Sequence, residues 1–269
     1  MTLKEVEITR IDTSINKTEK RKDLVAIEKP LHIIINQKKY VTILCLPNNQ
    51  KELAIGHLLS QGIITNLNEI EEISLKENEI CKIKLKPEID IKKRLALTKP
   101  FARLITSACG SADYWPIFKL ADRLELSKIP QNWKINAKTL QNVVQQLNKL
   151  AKTFQKTGAV HIAALYENNG ILSAYAEDIG RHNAIDKAIG MAALKEEKWQ
   201  ECILASSGRL TGDIVLKAAR MQIPMVASMA AAISSGLEIA TYTGITLIGF
   251  VRGKRFNIYT HPERISLEA

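Results

Sequence analysis

Between residues 159 and 250 short apolar runs alternate with helix-length stretches, and this alternation restricts the fold more than any other feature of the chain. Apolar runs at 159–166 and 171–175 flank Asn168-Asn169-Gly170, the signal of a tight hairpin. A helix over 183–194 follows. Next come a strand at 202–205, a helix over 211–221, a strand at 224–228, a helix over 231–241 and a strand at 245–250. Strands and helices alternating at this spacing predict an α/β fold with a three-layer core.

The first half reads differently. Apolar runs at 24–27 and 31–35 surround Pro30, and Asn36-Gln37-Lys38-Lys39 predicts a turn into a strand at 40–46. Asn48 or Asn49 is placed to cap a helix running through Gly62, and a strand pair is expected at 73–75 and 80–85. Leu140, Val143, Val144, Leu147 and Leu150 line one face of a single polar amphipathic helix over 136–156. The organisation expected is a frayed polar lead-in over 1–23, a smaller mixed α+β part over 24–130, and the α/β core over 131–269.

Composition excludes several classes. With 46% hydrophobic and 25% charged residues the chain is neither disordered nor of low complexity. No apolar run reaches the roughly 18 residues of a membrane span, and the charged start does not read as a signal peptide, so a cytoplasmic protein is expected. Cys45, Cys81, Cys109 and Cys202 lie too far apart for a disulfide framework or a metal motif, and reduced, mostly buried thiols are expected. The net charge of +10 is uneven: residues 101–159 hold nine basic and three acidic side chains, whereas 160–269 hold eleven of each. The middle segment is thus the candidate surface for an anionic partner, although no nucleic-acid signature accompanies it and a solvated lysine face is the simpler alternative.

Four stretches carry possible chemistry. In Thr106-Ser107-Ala108-Cys109-Gly110-Ser111-Ala112-Asp113, small neighbours and the nearby Arg103 suit an accessible thiolate at Cys109, or else a buried structural cysteine in a tight turn. Ala112 stands where a two-cysteine redox site would need its second thiol. Residues 177–187, Glu-Asp-Ile-Gly-Arg-His-Asn-Ala-Ile-Asp-Lys, sit between a strand and a helix; Arg181 suits an anion and His182 a proton, unless the stretch is only a solvated helix cap. Arg209, in Ser206-Ser207-Gly208-Arg209, occupies a second strand-to-helix loop without a Walker pattern. Phe250, Val251, Arg252, Gly253, Lys254 and Arg255 bring three cations between two aromatic rings, suited to a phosphate beside a flat ring or to an exposed hairpin tip.

Together, VAIEKPLHIIIN (25–36), ELAIGHLLSQGII (52–64), SACGSAD (107–113), TGAVHIAALY (157–166), EDIGRHNAIDKAIG (177–190), SSGRLTGDIVLKAA (206–219) and GITLIGFVRGKRFNIYTHPERI (244–265) resemble the FdhD family, the formate dehydrogenase accessory sulfurtransferases. The resemblance implies a cytidine-deaminase-like core and a sulfurtransferase that receives persulfide sulfur from a cysteine desulfurase. It implies that Cys109 carries that sulfur to the molybdenum bis(molybdopterin guanine dinucleotide) cofactor of formate dehydrogenase, with a guanine nucleotide as surrogate ligand. Phe250 to Arg255 match the family's cofactor-binding stretch, Arg181, His182 and Arg209 suit the same ligand, and a homodimer is usual. No metal, nucleic acid or membrane is expected: the deaminase zinc signature is absent. Two departures bear on function. Many relatives read Cys-Gly-x-Cys-Gly, where this chain has Ala112, and Ala230-Ala231-Ala232-Ile233-Ser234 lacks the relatives' Pro-Thr. A chaperone that holds the cofactor without covalent sulfur chemistry is the competing reading, and a nucleotide-converting enzyme ranks third.

Overall fold

The computed structural model describes residues 1–76, 79–96, 126–130, 133–196 and 198–267; the Cys109 loop lies outside the described residues. Strands β1 (Leu3–Asp12) and β2 (Lys17–Ala26) form a separate antiparallel hairpin in continuous register from Leu3↔Ala26 to Asp12↔Lys17. The expected frayed lead-in is therefore a hairpin. None of its side chains is buried and most are exposed, so it lacks the apolar alternation of a core strand. Cross-strand pairs such as Lys22–Glu5 (2.7 Å) decorate it instead.

β3 (Lys29–Ile35), β4 (Lys38–Cys45), β5 (Ile70–Lys76) and β6 (Ile80–Leu85) form a four-stranded sheet in the order β4-β3-β6-β5. Asn36 and Gln37 both take positive φ in the β3–β4 turn, the conformation a two-residue hairpin demands. Helix α1 (Gln50–Ser60) follows β4. Asn49 precedes it without a side-chain cap, and Asn48 is drawn away to accept from the Lys187 ammonium at 2.9 Å, so neither asparagine caps the helix as expected.

The amphipathic stretch after residue 136 divides into α2 (Ala137–Leu150) and α3 (Lys152–Thr157), where one continuous helix was expected. The break has a cause remote in sequence. Glu177 accepts from the backbone amides of Thr153 and Phe154 at 2.8 and 2.9 Å, satisfying donors of a new helix start.

The remaining elements are β8 (His161–Glu167), β9 (Leu172–Asp178), α4 (Arg181–Ala193), β10 (Cys202–Ser206), α5 (Gly212–Arg220), β11 (Met225–Ser228), α6 (Ser234–Thr243), β12 (Thr246–Arg252) and β13 (Arg255–Ile258). A small pairing of β7 (Ile135–Asn136) with β14 (Ile265–Ser266) completes the fold. The six-stranded sheet runs β13-β12-β11-β10-β8-β9, with β10, β11 and β12 mutually parallel and the other pairings antiparallel. Successive residues of β8 point to opposite faces. Ile162, Ala164 and Tyr166 join the core under α2, while Ala163 and Leu165 join the core shared with α1, α4, α5 and α6. Helices thus cover both faces, which is why these strands read as unbroken apolar runs.

Among the described residues no helix is long and apolar enough to cross a membrane.

Candidate functional site

β10, β11 and β12 run in one direction, so the loops that follow them emerge at the same edge of the sheet. The end of β9 and the start of β8 lie at this edge too, because His161 pairs with Asp178 and Ser206 with Ala163. The carboxyl edge of parallel strands is where open α/β sheets bind ligands. Here it gathers three of the four stretches singled out in the sequence.

Backbone contacts join these loops. The Ser228 hydroxyl donates to Gly208 O at 2.7 Å, the Leu210 amide to Ala231 O at 2.9 Å, and the Phe250 amide to Ala230 O at 3.0 Å. Arg181 crosses directly over Gly208, where an added Cβ would lie 3.0 Å from the arginine Cβ and 3.1 Å from its Cδ. A Cβ there would press on the arginine, which would have to shift by a few tenths of an ångström. The Arg181 Nε is buried with no hydrogen-bond partner among the described residues, whereas Arg209 is exposed.

At β12 the ladder to β13 is interrupted between Gly249 and Arg252, and Phe250 takes a φ of 52°. This bulge turns the Phe250 ring outward, 39% exposed, and sends Val251 into the core beneath α2 at 2% exposure. The Arg252 guanidinium lies 5.7 Å from the Phe250 ring centre and its Nε donates to Met229 O at 2.9 Å. Gly253, Lys254 and Arg255 form the exposed hairpin tip. Of the expected site residues, Arg181, His182, Arg209, Phe250, Arg252, Gly253, Lys254 and Arg255 meet at this edge. Val251 is instead a packing residue, and Cys109 lies outside the described residues.

The stretch 177–187 divides by role. Asp178 is fully buried, accepts from the Leu46 and Gly180 amides, and pairs with buried Lys187 at 2.6 Å. Asp186 is buried against Lys217 at 2.7 Å, Ser60 and His57. Burial pushes this carboxyl up, but Lys217 and His57 outweigh burial and hold it well below the usual carboxylate range. These are structural ion pairs, not the solvated cap that the residues alone allowed. Arg181 and His182, one turn earlier, are the part that faces the edge.

His182 Nε2 lies 2.8 Å from Asp213 Oδ2. Burial pushes the Asp213 carboxyl up, but the His182 contact, the Thr211 hydroxyl and the Arg181 charge together bring it down to about 2. Behind this pair lies a cavity of about 190 Å³ bounded also by His57, Asn183, Lys217 and Arg220.

His161 escaped the sequence reading. Its Nδ1 lies 3.2 Å from the Ser207 hydroxyl, and burial together with Arg181, His182 and Arg209 pushes its pKa below the ordinary value, which keeps the imidazole neutral. The one signal was its place: a polar residue opening an otherwise apolar strand, directed at the carboxyl edge of the parallel strands.

Among the described residues no group of three His, Cys, Asp or Glu is placed to hold a metal ion. The described thiols Cys45, Cys81 and Cys202 are all fully buried. Burial pushes Cys45 and Cys81 up to about 11 each, which suppresses the thiolate.

Known proteins resemble this chain over nearly its whole length. A "Sulfur carrier protein FdhD" of Sulfolobus acidocaldarius is 37% identical, covering 99% of this chain and 100% of its own length. The protein of the same description from Bacillus subtilis is 34% identical over 93% of this chain and 92% of its own. A crystal structure of a provisionally assigned formate dehydrogenase accessory protein from Desulfotalea psychrophila superimposes with a TM-score of 0.78 at 27% identity, over 99% of this chain and 100% of that one. The FdhD/NarQ family pattern matches residues 26–266, and this chain belongs to the FdhD/NarQ family.

Proposed function

We propose that the chain is a sulfur carrier serving a formate dehydrogenase. Cys109 takes sulfur from the persulfide of a cysteine desulfurase. It delivers that sulfur to a molybdenum bis(molybdopterin guanine dinucleotide) cofactor held as cargo at the sheet edge. The observation that carries this reading is that Arg181, Arg209 and Arg252, the last with the outward-turned Phe250, all stand on loops of one sheet edge. Guanidinium forks suit diphosphates, and an exposed ring suits a flat guanine or pterin. The neutral His161 supplies a hydrogen-bonding group among these cations without adding to their charge.

The thiol chemistry points the same way. The three described cysteines are buried, so none of them meets the requirement of an accessible thiolate. In the loading step the Cys109 thiolate attacks the outer sulfur of the donor persulfide. The donor's S–S bond breaks, its cysteine leaves as the thiolate, and Cys109 becomes the persulfide. The same reading takes the core to be layered like that of the cytidine deaminases, and helices on both faces of the mixed sheet support it.

Ala112, standing where many relatives have a second cysteine, favours one other reading: a chaperone that binds and delivers the cofactor with no covalent step. Intact mass after incubation with a cysteine desulfurase and cysteine separates the two. The expected result is a gain of about one sulfur atom, removed by reductant and absent in Cys109→Ala. No adduct in the presence of an active donor would establish the chaperone instead.

A further inference from the structure

Sulfur transfer and cargo binding leave the most one-sided stretch of charge unused. Residues 126–166 contain six lysines, Lys128, Lys134, Lys138, Lys149, Lys152 and Lys156, and no Asp or Glu. The apolar side of α2 is committed to the core through Leu140, Val143, Val144 and Leu147. Its outer side carries Lys138, Asn142, Gln145 and Lys149, all exposed, at the alternating four- and three-residue spacing of a single helical stripe. Lys152 and Lys156, one turn apart and exposed, extend the charge along α3.

This stripe is fastened to the cargo loop. Gln141 and Gln145 both donate to Gly253 O, the latter at 2.6 Å, which brings the exposed Lys254 and Arg255 against α2. None of Lys138, Lys149, Lys152, Lys156, Lys254 and Arg255 has an ion-pair partner among the described residues. Three exposed lysines of the β1–β2 hairpin differ: Lys17, Lys20 and Lys22 each meet a glutamate within 3.5 Å. A cationic face with no counterions of its own, continuous with the loop that holds the cargo, is complementary to an acidic surface.

We propose that the outer face of α2 and α3, with the Lys254–Arg255 tip, docks an acidic surface on the formate dehydrogenase that takes over the cargo. The identity of that partner rests on the carrier reading above. A second copy of this chain does not suit the face, since it would oppose like charges. On α2 the stripe holds only lysine, asparagine and glutamine, and α3 adds a single exposed ring, Phe154, so the face lacks the succession of stacking rings that single-strand binders use. Its position beside residues 250–255 is where an acceptor has to approach to receive what that loop holds.

The test uses the full chain with Lys138, Lys149, Lys152 and Lys156 all changed to Gln. Its affinities for cofactor-free formate dehydrogenase from the same organism and for random-sequence duplex DNA are measured at low and high salt, beside persulfide uptake, GDP binding and the unfolding midpoint. The variant is expected to bind the dehydrogenase about tenfold more weakly at low salt, with a flatter salt dependence. Sulfur uptake, GDP binding and the midpoint stay as in the wild type. Equal affinity of the two proteins, or no binding by the wild type, overturns the docking face. A loss confined to random-sequence duplex DNA also overturns it and makes the stripe a nucleic-acid surface. Failure of the wild type to take up sulfur overturns the carrier reading alone, because the dehydrogenase affinity still decides the face.

Discussion

At the scale of single residues, acids and bases of one short stretch serve opposite ends. Asp178, Asp186 and Lys187 are buried and paired, while Arg181 and His182 are left for the ligand edge. Asp213 belongs to both, being part buried and bonded to His182. Its carboxyl falls from the ordinary 3.8 to about 2 in the folded chain. A depressed folded value means stability present above the unfolded pKa and lost as pH falls through the folded one. Wild type should therefore exceed Asp213→Asn by about 2 kcal/mol near pH 7, and the gap should close between pH 4 and pH 2. Urea unfolding of both proteins across that range checks it; a gap independent of pH would mean that Asp213 acts through packing. Residue type alone did not sort these roles, because an Asp beside an Arg reads the same whether its partner is solvent or a lysine from a distant helix.

At the scale of elements, the tightest backbone approach at any glycine among the described residues is the crossing of α1 and α4. A Cβ added at Gly56 would fall 1.7 Å from Asp186 O, and one at Gly190 would fall 1.9 Å from Glu52 O. Two backbones meet there with no side chain between them, and the crossing brings Ser60 and His57 onto Asp186. Gly56→Ala should cost about 3 kcal/mol, since neither backbone can retreat without repacking two helices. A shift in the urea midpoint equivalent to less than about 1 kcal/mol would show the crossing to be looser than this. The elements themselves were largely legible, because strands buried on both faces and the Asn-Asn-Gly hairpin leave strong local patterns. What escaped depended on remote partners: the division of α2 from α3 by Glu177, and the diversion of Asn48 to Lys187. The arginine loops were legible as candidates because each follows an apolar strand. Their meeting at one edge required the strand order, which no local pattern contains.

At the scale of the whole molecule, the β1–β2 hairpin stands apart from both larger sheets. Its strands pair only with each other, and the family pattern begins at residue 26, where the hairpin ends. The arginine edge, the buried ion pairs and the α1–α4 crossing are all built from residues beyond it. An isolated two-stranded hairpin is marginal in water, so it draws stability from the body against which β2 rests at α3 and returns little to it. A chain starting at Ile27 is therefore expected to fold, to bind GDP as the full chain does, and to melt within about 3 °C of it. Thermal unfolding followed by circular dichroism, with GDP titration on the same preparations, checks both parts. A fall of about 10 °C or more would mean that the hairpin braces α3 against the end of β9, where Glu177 starts that helix. Unchanged melting with lost GDP binding would instead give the hairpin a part in ligand binding, although its strands pair with neither larger sheet.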